Sequence, residues 1–338
     1  MMPHLRTLAL VLSLTLAAGS LRAQETQIHF FTDITGVASD DPSEHSAFAL
    51  GQYDLFVTSH LADHISFLGE SVFEFDGDFV VDVERLMISF APKSYFRVEV
   101  GKQHTPFGYW NTAYHHGMVL QPTIERPTMF LFEDDGGPLP VHTTGLMVDG
   151  EDISPLHLGY DILIGNGIGS TPISDNNSAK SYTLAIHSQV TSALRIGGSV
   201  YFDRVTAGTP SLGGAPLAET VSRRMFGGFA VYLGPRYELM GEFQHAVDDT
   251  RSASASKTDL SYVYGGYRFG KLVPYARYDR IRYGATDPYF LTDNLDLAVL
   301  GARFDLAATT TVKLEYHHQK TESRGLANEV AAQVAVGF

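Results

Sequence analysis

Apolar and polar residues alternate along most of the chain, in segments of about 10–14 residues divided by polar or Gly/Pro-containing turns. In the segment 311–318, Val312, Leu314 and Tyr316 alternate with Lys313 and Glu315. The segments 95–103 and 194–203 show the same period of two. Because successive side chains of a strand point to opposite faces, each segment predicts a strand with one apolar and one polar face.

Sixteen such segments can be counted. They are 25–36, 44–61, 64–76, 79–91, 94–104, 141–152, 155–166, 179–190, 192–205, 219–233, 236–248, 257–269, 272–284, 291–305, 309–322 and 327–338. Lipid accepts the apolar faces and water the polar ones, and a sheet in lipid must close so that no backbone group stays unpaired. The pattern therefore predicts an all-β protein, a transmembrane antiparallel β-barrel of about 16 strands.

The first residues predict export. Arg6 is followed by the apolar run 8–18 and then by Leu21-Arg22-Ala23, which is typical of a signal peptide over 1–23 with cleavage after Ala23. The run is shorter than the roughly 20 residues of a membrane helix, and it carries no lipid-accepting cysteine. We expect residues 24–338 to form the barrel, in the cell outer membrane.

Charge and the C-terminus narrow the range of partners. With 24 Lys+Arg against 38 Asp+Glu, the formal net charge of −14 argues against nucleic acid as a partner. The chain ends in a strand-like run with Phe338, which is similar to the terminal aromatic signal of outer-membrane barrels. We therefore expect the barrel assembly machinery and outer-membrane lipid as partners.

Residues 105–140 break the alternation. This segment contains Trp110, the only tryptophan, together with five prolines and several aromatic residues. A long irregular loop is usually functional or disordered, and its apolar content argues against disorder. We expect it to fold inward and form a constriction in a lumen that would otherwise be wide.

The run Gly101-Lys-Gln-His-Thr-Pro-Phe-Gly108 resembles the Gly-Lys-x-x-x-Pro-Phe-Gly pattern of the Gram-negative porin superfamily, especially the phosphate-selective porin O/P type. Residues 275–280 also resemble a strand of that group. The resemblance implies sixteen strands, a homotrimer, an inward loop and passive diffusion of small hydrophilic solutes or ions. Phosphate-selective members line the pore with Arg and Lys, whereas the 105–140 segment here has only Arg126. Phosphate specificity is therefore not implied.

Pore selectivity depends on charged rings and on the width of the constriction. The candidate pore-lining residues are Arg97, Glu99, His115, His116, Glu125, Arg126, Glu133, Asp134, Asp135, Arg195, Arg268, Arg277, Asp279, Arg303, Lys313 and Glu315. Several of the wall charges are opposite in sign and two residues apart. They either pair along the wall and solvate the lumen, or set up a field between a basic wall and an acidic segment.

Three alternatives stay open beside the channel. A zinc-uptake role would use His104, His115, His116 and His142 with nearby carboxylates. A structural or adhesive barrel would have a plugged lumen. A membrane-embedded hydrolase is the remaining class; serines occur on the predicted walls, but no G-x-S-x-G element does. The sequence thus predicts a protein that is not an enzyme, with no cofactor, resident metal or catalytic residue.

Overall fold

The computed structural model describes residues 25–76, 78–114, 117–132, 137–211, 215–290 and 293–338; the predicted signal peptide lies outside them. Within these ranges the chain forms sixteen strands. They are β1 (Thr26–Ser39), β2 (Ala47–Ala62), β3 (Ile65–Asp76), β4 (Asp78–Lys93), β5 (Phe96–His104), β6 (His142–Ile153), β7 (Leu158–Asn166), β8 (Lys180–Gln189), β9 (Leu194–Val205), β10 (Val221–Leu233), β11 (Tyr237–Asp249), β12 (Ser256–Tyr267), β13 (Leu272–Arg282), β14 (Leu295–Ala307), β15 (Thr310–Thr321) and β16 (Gly325–Gly337). Each predicted segment overlaps one of them, so the predicted strands are confirmed.

The sheet closes on itself. Each strand pairs with its sequence neighbours, and β1 pairs antiparallel with β16, from Phe31 opposite Gly337 to Ser39 opposite Glu329. Closure leaves no strand edge unpaired, which is the condition for a sheet in lipid. The predicted fold class, an antiparallel β-barrel of about 16 strands, is therefore confirmed.

The two faces of the wall differ as the alternation predicts. On β13, Tyr275, Arg277 and Asp279 are buried, whereas Leu272 and Tyr278 are exposed. Exposed aliphatic and aromatic side chains continue around the wall and include Leu300 and Val263. An apolar outward band on a closed barrel belongs against lipid, so the protein is located in the cell outer membrane.

Connections differ between the two ends of the barrel. At one end, here called the short-turn end, β10 and β11 are joined across 234–236, and β12 and β13 across 268–271. At the other, the long-loop end, 206–220 connects β9 to β10 and 283–294 connects β13 to β14. Short turns are periplasmic and long loops extracellular in bacterial barrels.

The strand β5 contains a distortion that requires glycine. Gly101 has φ +141°, and a Cβ atom there would lie 1.8 Å from the backbone oxygen of Leu86. No L side chain fits so close to the neighbouring strand. The backbone therefore requires glycine at the first position of the Gly101–Gly108 motif.

The described part of the 105–140 segment contains a short helical turn, α1 (Trp110–Ala113), and a 3₁₀ turn over Thr128–Phe130. No helix in the described ranges has the length and apolarity needed to cross a membrane. Trp110, Met129 and Phe130 pack in a cluster with buried wall residues such as Met240 and Tyr262. The segment therefore packs on the buried face of the wall, opposite the exposed apolar band.

Candidate channel-lining site

The 105–140 segment begins at a carboxylate of the wall. Glu242, on β11, accepts hydrogen bonds from the backbone N–H groups of Tyr109 at 2.6 Å and Trp110 at 2.8 Å, and from the hydroxyl of Tyr262 at 2.7 Å. Gly108 has φ +78°, and a Cβ atom there would lie 2.7 Å from Glu242 Oε2. The last glycine of the motif thus lets the carboxylate reach the start of α1.

The middle of the segment is held by a neighbouring pair on β15. Lys313 donates to the backbone oxygens of Met118 at 2.6 Å and Thr123 at 3.0 Å. Glu315 Oε1 accepts from the backbone N–H of Ile124 at 2.8 Å. Both wall side chains are about 1% exposed. Lys313 and Glu315 therefore supply hydrogen-bond partners for backbone groups of the segment that are buried away from water.

A second pair, on β13, holds the later part of the segment. Arg277 donates to Thr123 Oγ1 at 2.8 Å and to the backbone oxygen of Glu125 at 2.5 Å. Asp279 Oδ2 accepts from the N–H and the hydroxyl of Thr128, both at 3.0 Å. Three strands of the wall thus hold the backbone of the segment at residues 109, 110, 118, 123, 124, 125 and 128 through hydrogen bonds with charged side chains.

Opposite charges two residues apart do pair along the wall. Contacts join Arg97 to Glu99 at 3.3 Å, Arg277 to Asp279 at 3.0 Å, and Arg303 to Asp305 at 2.9 Å. Arg97 also reaches Asp149 at 2.8 Å, and Arg195 reaches Glu151 at 3.2 Å. These contacts favour the interpretation in which wall charges mainly neutralise one another.

A polar cavity of about 410 Å³ lies at the short-turn end. Arg268 and Arg303 both contact Glu238, at 2.7 and 2.9 Å, and both contact Asp305, at 2.8 and 2.9 Å. Tyr114 and Leu120, from the 105–140 segment, also line this cavity. Burial raises the pKa of the Tyr114 phenol, so this side chain stays protonated and neutral.

A smaller cavity of about 190 Å³ at the long-loop end is acidic. Asp41, Glu44, Glu125 and Glu329 line it together with His317 and Arg324, and we call these four carboxylates the acidic vestibule. His317 contacts Glu329 at 3.1 Å.

The two charged neighbours at 125 and 126 behave differently. Glu125 is exposed, whereas Arg126 is buried with its guanidinium 4.0 Å from the ring centre of Phe132. Arg126, the only Lys or Arg of the segment, is therefore shielded from solvent, whereas the Glu125 carboxylate is exposed to it.

Five of the predicted pore-lining residues lie outside the described residues: His115, His116, Glu133, Asp134 and Asp135. Of the predicted histidine set, His104 and His142 have ring centres 5.2 Å apart. In the part of the chain that the structure describes, no group of three or more His, Asp or Glu side chains could hold a metal ion.

Sequence reasoning missed two charged pairs. Arg85 contacts Glu70 at 2.5 Å across β3 and β4, next to a register shift at Glu70 that obscures the alternation. Arg223 lies 3.7 Å from Asp248, and its guanidinium stacks near Phe290, which comes from a distant loop. The alternation of β10 places Arg223 on the inner face, but nothing local identifies its aromatic partner.

Comparison with known proteins gives the fold and no closer relationship. No protein-family model matches the chain, and no curated protein matches it. The anion-selective porin from Comamonas acidovorans matches with a TM-score of 0.70 and 12% identity, over 93% of this chain and 100% of that one. OmpT of Vibrio cholerae, in a trimer form, matches with a TM-score of 0.65 and 14% identity over 94% and 100%. The outer-membrane channel DcaP of Acinetobacter baumannii matches with a TM-score of 0.65 and 11% identity over 94% and 99%.

The chain thus has the fold of the Gram-negative outer-membrane porins. Identities this low establish the fold and not the function. This fold does not establish the phosphate-selective porin O/P type suggested by the Gly101–Gly108 motif.

One prediction from the sequence has to be corrected. The exclusion of an enzyme rested on the missing G-x-S-x-G element, and that exclusion was wrong. Structures of OmpT, an outer membrane protein of Vibrio cholerae, match the barrel alongside the porins. A barrel of this kind does not by itself settle whether the chain has an enzymatic activity.

Proposed function

We propose that the chain forms a water-filled channel for passive diffusion of small hydrophilic solutes or ions, with the 105–140 segment as its constriction. The observation that carries this proposal is the set of wall charges that hold the segment's backbone. Glu242, Lys313 and Glu315 contact it from the buried face of β11 and β15. A loop fixed in this way narrows a lumen without needing to fill it.

The polar character of the wall supports an aqueous interior. Arg97, Glu99 and Asp149 stand on the inner face of β5 and β6, and Arg195 and Glu151 continue that face at the short-turn end. The side chains of Arg97 and Glu151 are 44% and 54% exposed, and such charges are costly in an apolar plug and well solvated beside water. Interiors of this kind are typical of diffusion channels.

We further propose that the channel prefers cations. The acidic vestibule places four carboxylates around one cavity at the long-loop end, where His317 and Arg324 are the basic residues of the described lining. Such a cluster raises the local concentration of cations before they reach the constriction. A homotrimer is our proposal for the assembly, supported by the trimer form of the OmpT neighbour.

Planar-bilayer recording of the purified protein tests both proposals. We expect the current to rise in steps that are ohmic. In a KCl gradient, we expect a reversal potential whose sign shows that K⁺ permeates more readily than Cl⁻. The variants Glu125→Gln and Glu329→Gln should move this potential toward zero. Glu25→Gln, at the short-turn end and far from the vestibule, is the matched control.

The outcomes separate the alternatives. A folded barrel that gives no current steps contradicts the channel and favours the plugged structural or adhesive barrel. Current steps whose reversal potential is the same in Glu125→Gln, Glu329→Gln and the unmodified protein contradict cation selection by the vestibule but leave the channel standing.

A further inference from the structure

The outward face of β8–β12 carries an apolar groove of about 790 Å³. Gly198, Gly228 and Gly241 form part of its floor, and we call this feature the outer groove. Gly198 lies directly opposite Gly228 on the next strand, so the wall recedes there. Phe243 and Val263 rise beside it with 58% and 59% of their surfaces exposed.

Basic side chains stand on the same outward face, toward the long-loop end. Arg224, Lys257, Arg280 and Arg282 occupy the outward positions of β10, β12 and β13. The outer groove reaches Arg280, because Phe243 lies opposite Ser261, a groove residue, and Ser261 lies opposite Arg280. Asp259 and then Lys257 follow Ser261 on the outward face of β12, toward the long-loop end. Neighbouring strands are about 4.8 Å apart, so Arg280 stands one strand from the groove.

Acids accompany some of these cations but not all. Arg224 contacts Asp249, Arg282 contacts Asp296 at 2.6 Å, and Asp259 contacts His245 at 2.7 Å. Lys257 and Arg280 are exposed, and no acid of the described residues lies within salt-bridge distance of either. This part of the wall therefore presents two cations that are not neutralised by a direct ion pair.

We propose that this wall binds a phosphorylated lipid of the outer leaflet, with an acyl chain in the outer groove and a phosphate between Lys257 and Arg280. The groove lies midway along the strands, at the depth of hydrocarbon, and an empty groove would forfeit dispersion contacts that an acyl chain supplies. The cations stand nearer the extracellular ends, at the depth of headgroups, where basic side chains attract anionic lipids.

The arrangement favours a lipid over a two-fold contact with a second copy of the chain. A two-fold contact through this face would bring the same patch of each copy together, and the cations Lys257 and Arg280 would face their own counterparts. Repulsion between like charges opposes that contact, whereas a phosphate group satisfies both cations through charge-assisted hydrogen bonds.

Native mass spectrometry of the full barrel, released from detergent with bis-phosphorylated lipid A as the probe, tests the proposal. The variant Gly241→Leu fills the groove, and a Cβ atom there meets nothing closer than 3.7 Å, so the wall tolerates it. Gly265→Leu is the matched control, because Gly265 is outward, has its nearest neighbour at 3.6 Å, and is not a groove residue. Lys257→Gln and Arg280→Gln remove the cations, with Lys320→Gln as their control on β15.

We expect about a fivefold loss of lipid A affinity for each cation removed. Gly241→Leu should weaken binding by about tenfold, while both controls stay within about twofold of the unmodified protein. Dephosphorylated lipid A should bind Lys257→Gln, Arg280→Gln and the unmodified barrel equally. Three results would overturn the proposal: equal binding by Gly241→Leu and Gly265→Leu, equal binding after both cations are removed, or a protein dimer at this face in place of a lipid adduct.

Discussion

Glu242 Oε1 on β11 lies 2.8 Å from the backbone nitrogen of Trp110, a residue 132 positions earlier in the chain. The second oxygen of the same carboxylate lies 2.6 Å from the backbone nitrogen of Tyr109. One wall side chain therefore fixes the start of α1, the four-residue helical turn of the 105–140 segment.

Removing this carboxylate should release the start of the segment. For Glu242→Ala we expect a loss of about 3 kcal/mol in the free energy of unfolding, since the side chain accepts three hydrogen bonds that contribute about 1 kcal/mol each. Single-channel conductance should rise and become noisier. Urea titration and bilayer recording measure the two effects, with Glu25→Ala as the control; unchanged stability and conductance would argue against a holding role for Glu242.

Gly108 should tolerate no side chain. Gly108→Ala adds a Cβ atom that would lie 2.5 Å from Phe130 Cζ and 2.7 Å from Glu242 Oε2, in a backbone conformation with φ +78°. Gly208→Ala is the matched control, because it has φ +90° but nothing within 4 Å. Gly208→Ala therefore measures only the cost of an L residue in the left-handed backbone conformation, about 1–2 kcal/mol. Urea midpoints should show a clearly larger loss for Gly108→Ala, and equal losses would contradict the close approach.

Lys313 should hold the middle of the segment. In Lys313→Met, the carbonyl groups of Met118 and Thr123 and the side chain of Gln333 lose their shared donor. Breaking a buried charged network by removing one partner costs roughly 3–5 kcal/mol. Lys320→Met, on the exposed face of the same strand, should be nearly neutral in the same urea titration. Similar midpoints for the two variants would show that Lys313 is not a tether.

The acidic run at 133–135 should contribute to charge selection. Replacing Glu133, Asp134 and Asp135 by Gln, Asn and Asn removes three negative charges from the 105–140 segment. The reversal potential in a KCl gradient should then shift toward lower cation preference, because a ring of like charge sets the sign of the permeant ion. An unchanged potential would assign selection elsewhere, the acidic vestibule being the first candidate.

The strands could be predicted because their evidence is local. Val312, Leu314 and Tyr316 reveal the outward face of β15 by a period of two, without knowledge of any partner strand. The partners of the 105–140 segment could not be predicted in this way. Lys313 and Glu315 were identified as inward by their position, yet their contacts are residues nearly 200 positions away in sequence.

Shifts in strand register also limit what can be predicted from the alternation of apolar and polar residues. The register of β3 and β4 shifts at Glu70, which hides the contact between Glu70 and Arg85. An added or missing residue in a strand reverses every later side chain, so a period of two fails beyond it. The Gly101–Gly108 motif did point to the segment, but the need for Gly108 became clear only from the approach of Glu242 and Phe130.

The most direct test of the central claim uses the absence of cysteine from the chain. Leu120 belongs to the 105–140 segment, is 54% exposed and lines the cavity at the short-turn end. In Leu120→Cys, a charged, membrane-impermeant thiol reagent should reduce the single-channel current stepwise. Leu300→Cys, 61% exposed on the lipid-facing wall, should show no change. A reagent that modifies Leu120→Cys, as mass spectrometry would show, without altering the current would contradict a constriction formed by this segment.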